Sequence, residues 1–229
     1  MIPLSDDNPS GIRPIVTIAL IVACVLAFLW ELSAGAGGQR IIYSLGVIPA
    51  VLLGRQELPP ELSLLPAWAT VFTSMFMHGG WMHLIGNMLY LWIFGDNVED
   101  SMGHGRFIVF YLLCGIAAVL AQALPDPSSI VPMVGASGAI SGVLGAYLLL
   151  YPHARVLVVI PLGFILQTMR IPAGIVLLLW FGLQLLSNAM QSAGQGGVAF
   201  RAHIGGFVAG MILIPLFKRR QFRLRLPWS

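Results

Sequence analysis

Gly135-Ala136-Ser137-Gly138-Ala139-Ile140-Ser141-Gly142 decides how this chain reads. It opens an apolar stretch that continues to Leu150 with no charged residue, and its hydroxyls sit among glycines and alanines. Ala202-His203-Ile204-Gly205-Gly206 opens a second apolar stretch in the same way, with a histidine in place of the serine. A serine hydroxyl becomes a nucleophile when a base takes its proton, and histidine is the usual base. Ionisable side chains inside membrane-spanning segments are rare and as a rule functional.

The composition makes these stretches membrane segments. Of 229 residues, 58% are hydrophobic and 9% charged. Soluble domains carry about 25% charged residues, so lipid is the expected solvent and the length suits one helical membrane domain. The formal charge is +3, but Lys218, Arg219, Arg220, Arg223 and Arg225 crowd behind the last apolar stretch. That pattern fits a cytoplasmic anchor on lipid headgroups. No nucleic-acid partner is expected, because basic grooves and aromatic platforms are lacking. Cys24 and Cys114 both fall in apolar segments and read as packing residues.

Six spans are expected: about Ile15–Leu32, Trp81–Phe94 (with a start as early as Trp68), Phe107–Leu124, Ala136–Leu150, Ala173–Met190 and Ala202–Phe217. The fold class is therefore an all-α membrane protein, with a short N-terminal segment (1–14), a six-helix domain (15–217) and a basic tail (218–229). Several spans fall short of the roughly 20 residues that cross a bilayer. With the N-terminus inside, the inner segments hold nine Lys and Arg residues and the outer loops hold Arg40, Arg55 and Arg201. Both termini are accordingly expected in the cytoplasm. The apolar stretch Val156–Met169 is broken by Pro161 and Gly163 and is read as an interfacial connector. The long outer loop, Ser33–Leu65, is read as short amphipathic pieces on the membrane surface.

Under this topology spans two, four and six enter from outside, and their first turns carry His83 with Asn87, Ser137, and His203. Ser137 and His203 are the candidate nucleophile and general base. No acidic residue stands in the outer half of spans two to six, so a two-residue dyad is expected. His83 and Asn87 are spaced i, i+4 on one helix face. With the Ser137 backbone N–H they are the candidate donors to the oxyanion of acyl transfer. Packing is the competing role for the small residues, since Gly138/Gly142 and Gly206/Gly210 are small-xxx-small pairs. His78 is read as a surface or loop-packing residue, and His104 and His153 as headgroup or solvent contacts. Glu99 is read as a structural acceptor of backbone amides or a partner of Arg106. No metal or other cofactor is expected, because His78, His83 and His203 lack an acidic companion.

These motifs together resemble the rhomboid intramembrane serine proteases of bacterial type. The resemblance rests on His83-x-x-x-Asn87, Asn97-Val-Glu99-Asp100 with Gly103 and Arg106-Phe107, Gly135-x-Ser137-Gly138 and Ala202-His203-Ile204-Gly205-Gly206, in that order along nearly the whole chain. It implies a six-helix core and cleavage of single-pass or multi-pass membrane proteins within or beside their spans. It implies Ser137 as nucleophile, His203 as base, and Asn87 with His83 at the oxyanion. A plasma-membrane location, the bacterial inner membrane, goes with it. So do a partly embedded first outer loop and control of substrate access by helix five and the loop Gly194–Phe200. Two positions depart from the family pattern. Ser141 stands where some members carry a tyrosine beside the catalytic histidine, and the first loop lacks a Trp-Arg pair. An inactive rhomboid-like protein that binds client helices, and a small channel or transporter, are the alternative classes.

Overall fold

A computed structural model describes residues 1–162, 165–191 and 197–226. Its elements in chain order are β1 (Ile2–Asp6), α1 (Ile15–Ser33), α2 (Gly38–Leu45), α3 (Pro49–Leu52), α4 (Ala67–Thr73), α5 (Trp81–Met102), α6 (His104–Ala123), α7 (Ser137–Leu150), β2 (Arg155–Leu162), β3 (Ile165–Pro172), α8 (Ala173–Met190) and α9 (Phe200–Phe217). Four of the helices, α1, α6, α8 and α9, are long and apolar enough to cross a membrane. Of the other two long helices, α5 ends in Asp96, Glu99 and Asp100, and α7 has 14 residues. At 1.5 Å per residue α7 is about 21 Å long, short of the roughly 30 Å hydrocarbon core.

The short helix is the central one. Twelve of the 14 residues of α7 are buried, enclosed by α5, α6, α8 and α9. Its own Leu144 and Tyr147 share the core with Phe94, Phe107, Phe110, Tyr111 and Phe207, all almost fully buried. The outer helices turn large apolar side chains outward instead, among them Leu26 on α1, Leu179 and Leu183 on α8, and Ile212 and Leu216 on α9. An apolar exterior on this scale is stable in lipid and not in water.

Glu99 joins two helices at their ends. Its carboxylate is fully buried. It accepts the Val16 and Thr17 N–H groups at 2.9 and 2.8 Å and the Thr17 hydroxyl at 2.7 Å. These amides open α1, where the first N–H groups have no acceptor in the helix and the macrodipole favours a negative charge. Of the two partners foreseen for Glu99, the backbone amides are the ones found. Arg106 is elsewhere, donating to the Phe217 carbonyl. His104, expected to meet solvent or headgroups, is exposed, and it also places Nδ1 2.5 Å from Glu99 Oε1. Gly103, at φ +83°, separates α5 from α6 and allows the reversal that brings them together.

The all-α expectation needs correction. The connector Val156–Met169 has regular structure that was not foreseen: β2 and β3 pair antiparallel over this stretch, with Arg155 opposite Pro172 and Val156 opposite Ile171. The N-terminal segment adds β1 to the other edge of β2, giving the order β1-β2-β3. Val156 and Val158 are buried while Leu157 and Val159 are half-buried. Such alternation with β-branched residues suits a strand covered on one face. Asp7 Oδ1 accepts the Arg155 N–H at 2.7 Å, and the Tyr147 hydroxyl donates to Asp6, tying β1 to the foot of α7. The loop Ser33–Leu65 holds the short helices α2 and α3, and Val47 pairs with Met133 just ahead of α7. Of the loop 194–200, residues 194–196 lie outside the described residues.

Candidate active site

Glycine sets the distance between α7 and α9. A methyl group on Gly206 would lie 2.0 Å from the Gly138 carbonyl oxygen, and one on Gly210 would lie 1.9 Å from that of Gly142. Backbone touches backbone there, as small-xxx-small sequences allow. The contact brings together the first turns of the two helices, where Ser137 and His203 stand.

Ser137 Oγ lies 2.9 Å from His203 Nε2, within hydrogen-bond reach for proton transfer. The other ring nitrogen, Nδ1, is 2.8 Å from Oε1 of Gln184 on α8. One turn earlier on that helix, the Trp180 indole lies beside the imidazole, with ring centroids 5.9 Å apart and planes at 35°. Ser141 does not reach the histidine. Its hydroxyl donates back to the Ser137 carbonyl at 2.6 Å. The aromatic neighbours of His203 among the described residues are Trp180 on α8 and Phe200 on α9, and none comes from α7. Gln122 Oε1 on α6 accepts the Ala202 N–H at 3.2 Å, satisfying an amide at the start of α9.

His83 and Asn87 approach from α5. Gly135, at φ +124°, leads the chain into Ser137. A methyl group there would lie 2.7 Å from His83 Nε2 and 3.6 Å from Asn87 Nδ2. Both the backbone conformation and this close approach call for glycine. Asn87 Nδ2 is buried and has no hydrogen-bond partner among the described residues. Leaving such a donor unpaired costs about 1–3 kcal/mol. His78 sits 5.2 Å from His83, ring centre to ring centre, and is fully buried in the loop between α4 and α5, so of its two readings, surface or loop-packing, the loop-packing one is found.

These groups line one cavity of about 820 Å³. His83, Asn87, Ser137, Ser141 and His203 share it with Gln122, Asp126, Trp180, Asn188, Gln191 and Arg201. Its size is that of a ligand site. Asp126 reaches it from the loop after α6, and the His203 ring bonds to no carboxylate among the described residues. Of the residues that the motifs missed, Gln184 and Trp180 are the two on α8 that lie against the His203 ring. A sequence signal for them exists: Gln184 is the first amide or charged side chain after Ala173 in α8, and it falls four residues after Trp180.

The chain is similar to several known proteins. The rhomboid protease GluP of Bacillus subtilis (strain 168) is 32% identical over 202 residues, covering 88% of this chain and 35% of the relative. Rhomboid protein 1, mitochondrial, of Saccharomyces cerevisiae is 29% identical over 211 residues, covering 82% of this chain and 57% of the relative. Rhomboid-like protein 11, chloroplastic, of Arabidopsis thaliana is 30% identical over 168 residues, covering 67% and 54%. The chain thus spans from about a third to somewhat over half of these relatives' own length. A family model described as Rhomboid domain matches residues 66–220, which takes in α5 to α9 and all four motif residues. With that match over more than half of its length, this multi-pass membrane protein belongs to the rhomboid family.

Proposed function

We propose that the protein is an intramembrane serine endopeptidase that cleaves transmembrane segments of other membrane proteins. One observation carries the reading: an alcohol and an imidazole from two helices lie 2.9 Å apart in a cavity lined by both polar and apolar side chains within an apolar bundle. Ser137 attacks the scissile carbonyl, and His203 Nε2 takes its proton. His203 then gives that proton to the leaving amine, and water releases the acyl-enzyme. Asn87 Nδ2, the Ser137 N–H and His83 receive the oxyanion. Asn87→Ala is expected to lower kcat about 100–1000-fold, the usual effect of losing one such donor, read as turnover of a fluorescent membrane substrate in proteoliposomes.

The proposal includes six spans with both termini in the cytoplasm, which sets the dyad a short way below the outer surface of a bacterial plasma membrane. The excess of Lys and Arg on the inner segments supports it. Substrate helices must unwind to expose a peptide bond, so Gly or Pro near the scissile bond lowers the cost. An inactive client-binding protein would be expected to lack the nucleophile or the base, and both are present. Mass spectrometry of the products from a single-pass substrate tests the reading. A cut in or beside the outer half of the substrate span supports it; an intact substrate, or cuts confined to its soluble domains, counts against it.

A further inference from the structure

We propose that Gln184 is a positioning residue for His203: its side-chain oxygen fixes the ring proton on Nδ1 and leaves the Nε2 lone pair for Ser137. The proposal rests on the protease reading above. A neutral imidazole carries one N–H and one lone pair, and either nitrogen can hold the proton. Both nitrogens have partners here, Gln184 Oε1 at 2.8 Å and Ser137 Oγ at 2.9 Å. An amide oxygen only accepts, so Nδ1 must donate to it. Nε2 is then the acceptor, and the serine hydroxyl donates to it. The opposite tautomer would set Nε2–H against the serine and leave two acceptors facing each other at Nδ1.

In catalytic triads a carboxylate performs this task, and replacing it by an amide that favours the wrong tautomer is severely damaging. The present amide turns its oxygen to the ring, so it sets the same tautomer without a charge. A neutral acceptor suits an apolar layer, where an unpaired carboxylate carries a heavy desolvation cost. Gln184 and Trp180 are four residues apart on one face of α8. The amide holds the edge of the ring while the indole lies beside its plane, within the 5.9 Å separation. Orientation of the base therefore depends on a third helix that contributes no reacting atom.

The test compares kcat and KM for the wild type, Gln184→Leu, Gln184→Glu and Ser137→Ala in proteoliposomes holding a fluorescent membrane substrate. Nitrogen-15 spectra of the His203 ring are taken on the wild type and Gln184→Leu. Leucine keeps the bulk but not the acceptor; glutamate keeps the acceptor but adds charge. Gln184→Leu is expected to leave KM nearly unchanged and lower kcat about 100-fold, the scale of a misplaced catalytic group. Gln184→Glu should recover most of that loss. The wild-type spectrum should show the proton on Nδ1, and Gln184→Leu a mixture of tautomers. A packing role predicts the reverse order, with leucine active and glutamate impaired, and that order overturns the proposal. A wild-type proton on Nε2 also overturns it, as does a spectrum unchanged by leucine. If glutamate prevents folding, seen as loss of the thermal transition, leucine and the spectra decide. A Ser137→Ala protein as active as the wild type would instead remove the protease reading, while the spectra would still report whether Gln184 sets the tautomer.

Discussion

Ser137→Ala is expected to leave a fluorescent membrane substrate intact in proteoliposomes, a loss on the order of 10⁶-fold if the site behaves like other serine hydrolases. Removing the hydroxyl deletes the atom that forms the acyl-enzyme, and no other alcohol takes its place. Ser141, the nearest candidate by sequence, donates to the Ser137 carbonyl and has no bond to His203. His203→Ala should cost nearly as much, because an unassisted hydroxyl is a poor nucleophile. The double variant should be no worse than either alone, since the two groups act as one unit. Additive losses would mean that serine and histidine work separately. Binding should persist throughout, so the effect should fall on kcat with KM little changed.

Gly206→Ala should also be damaging, for a purely steric reason. The added methyl would sit 2.0 Å from the Gly138 carbonyl oxygen, and the obstacle is backbone, which has no alternative rotamer. The helices must separate by an ångström or more. Overpacking a tight core typically costs about 1–3 kcal/mol and occasionally more. A misplacement of that size at the Ser137–His203 pair costs about 100-fold in rate. The expected result is a lowered thermal transition in detergent together with a fall in kcat. Gly182→Ala is the control, because a methyl there meets nothing within 4 Å. It should be neutral or slightly stabilising through helix propensity. Equal behaviour of the two variants would show that the glycine contact does not set the site.

The parts of the molecule that could be read from residues alone were those where polarity contradicts its surroundings. Ser137, His203 and the His83–Asn87 pair stand out because each opens an apolar run, and hydrophobic length located α7 and α9 to within two residues, while α5 runs on to Met102, eight residues past the expected Phe94. Gln184 escaped because it belongs to no motif; its place as the first amide in the apolar run of α8 marks it as unusual, but that α8 lies against α9 is not written in any local pattern. The sheet escaped for a related reason. Val156–Met169 has the apolar content of a surface-bound segment as well as of a strand, and the deciding partner, Ile2–Asp6, lies at the other end of the chain. The same holds for His104, whose bond to Glu99 depends on the reversal at Gly103. Local periodicity reports which face is apolar; it does not report which distant element covers it.

The central claim is that Ser137 is made reactive by His203. Fluorophosphonate labelling of the purified protein in lipid, with the adduct mapped by mass spectrometry, tests it most directly. The account predicts one adduct, on Ser137, that vanishes in His203→Ala while the protein stays folded. An adduct on another residue, or Ser137 labelled as well without the histidine, would contradict it.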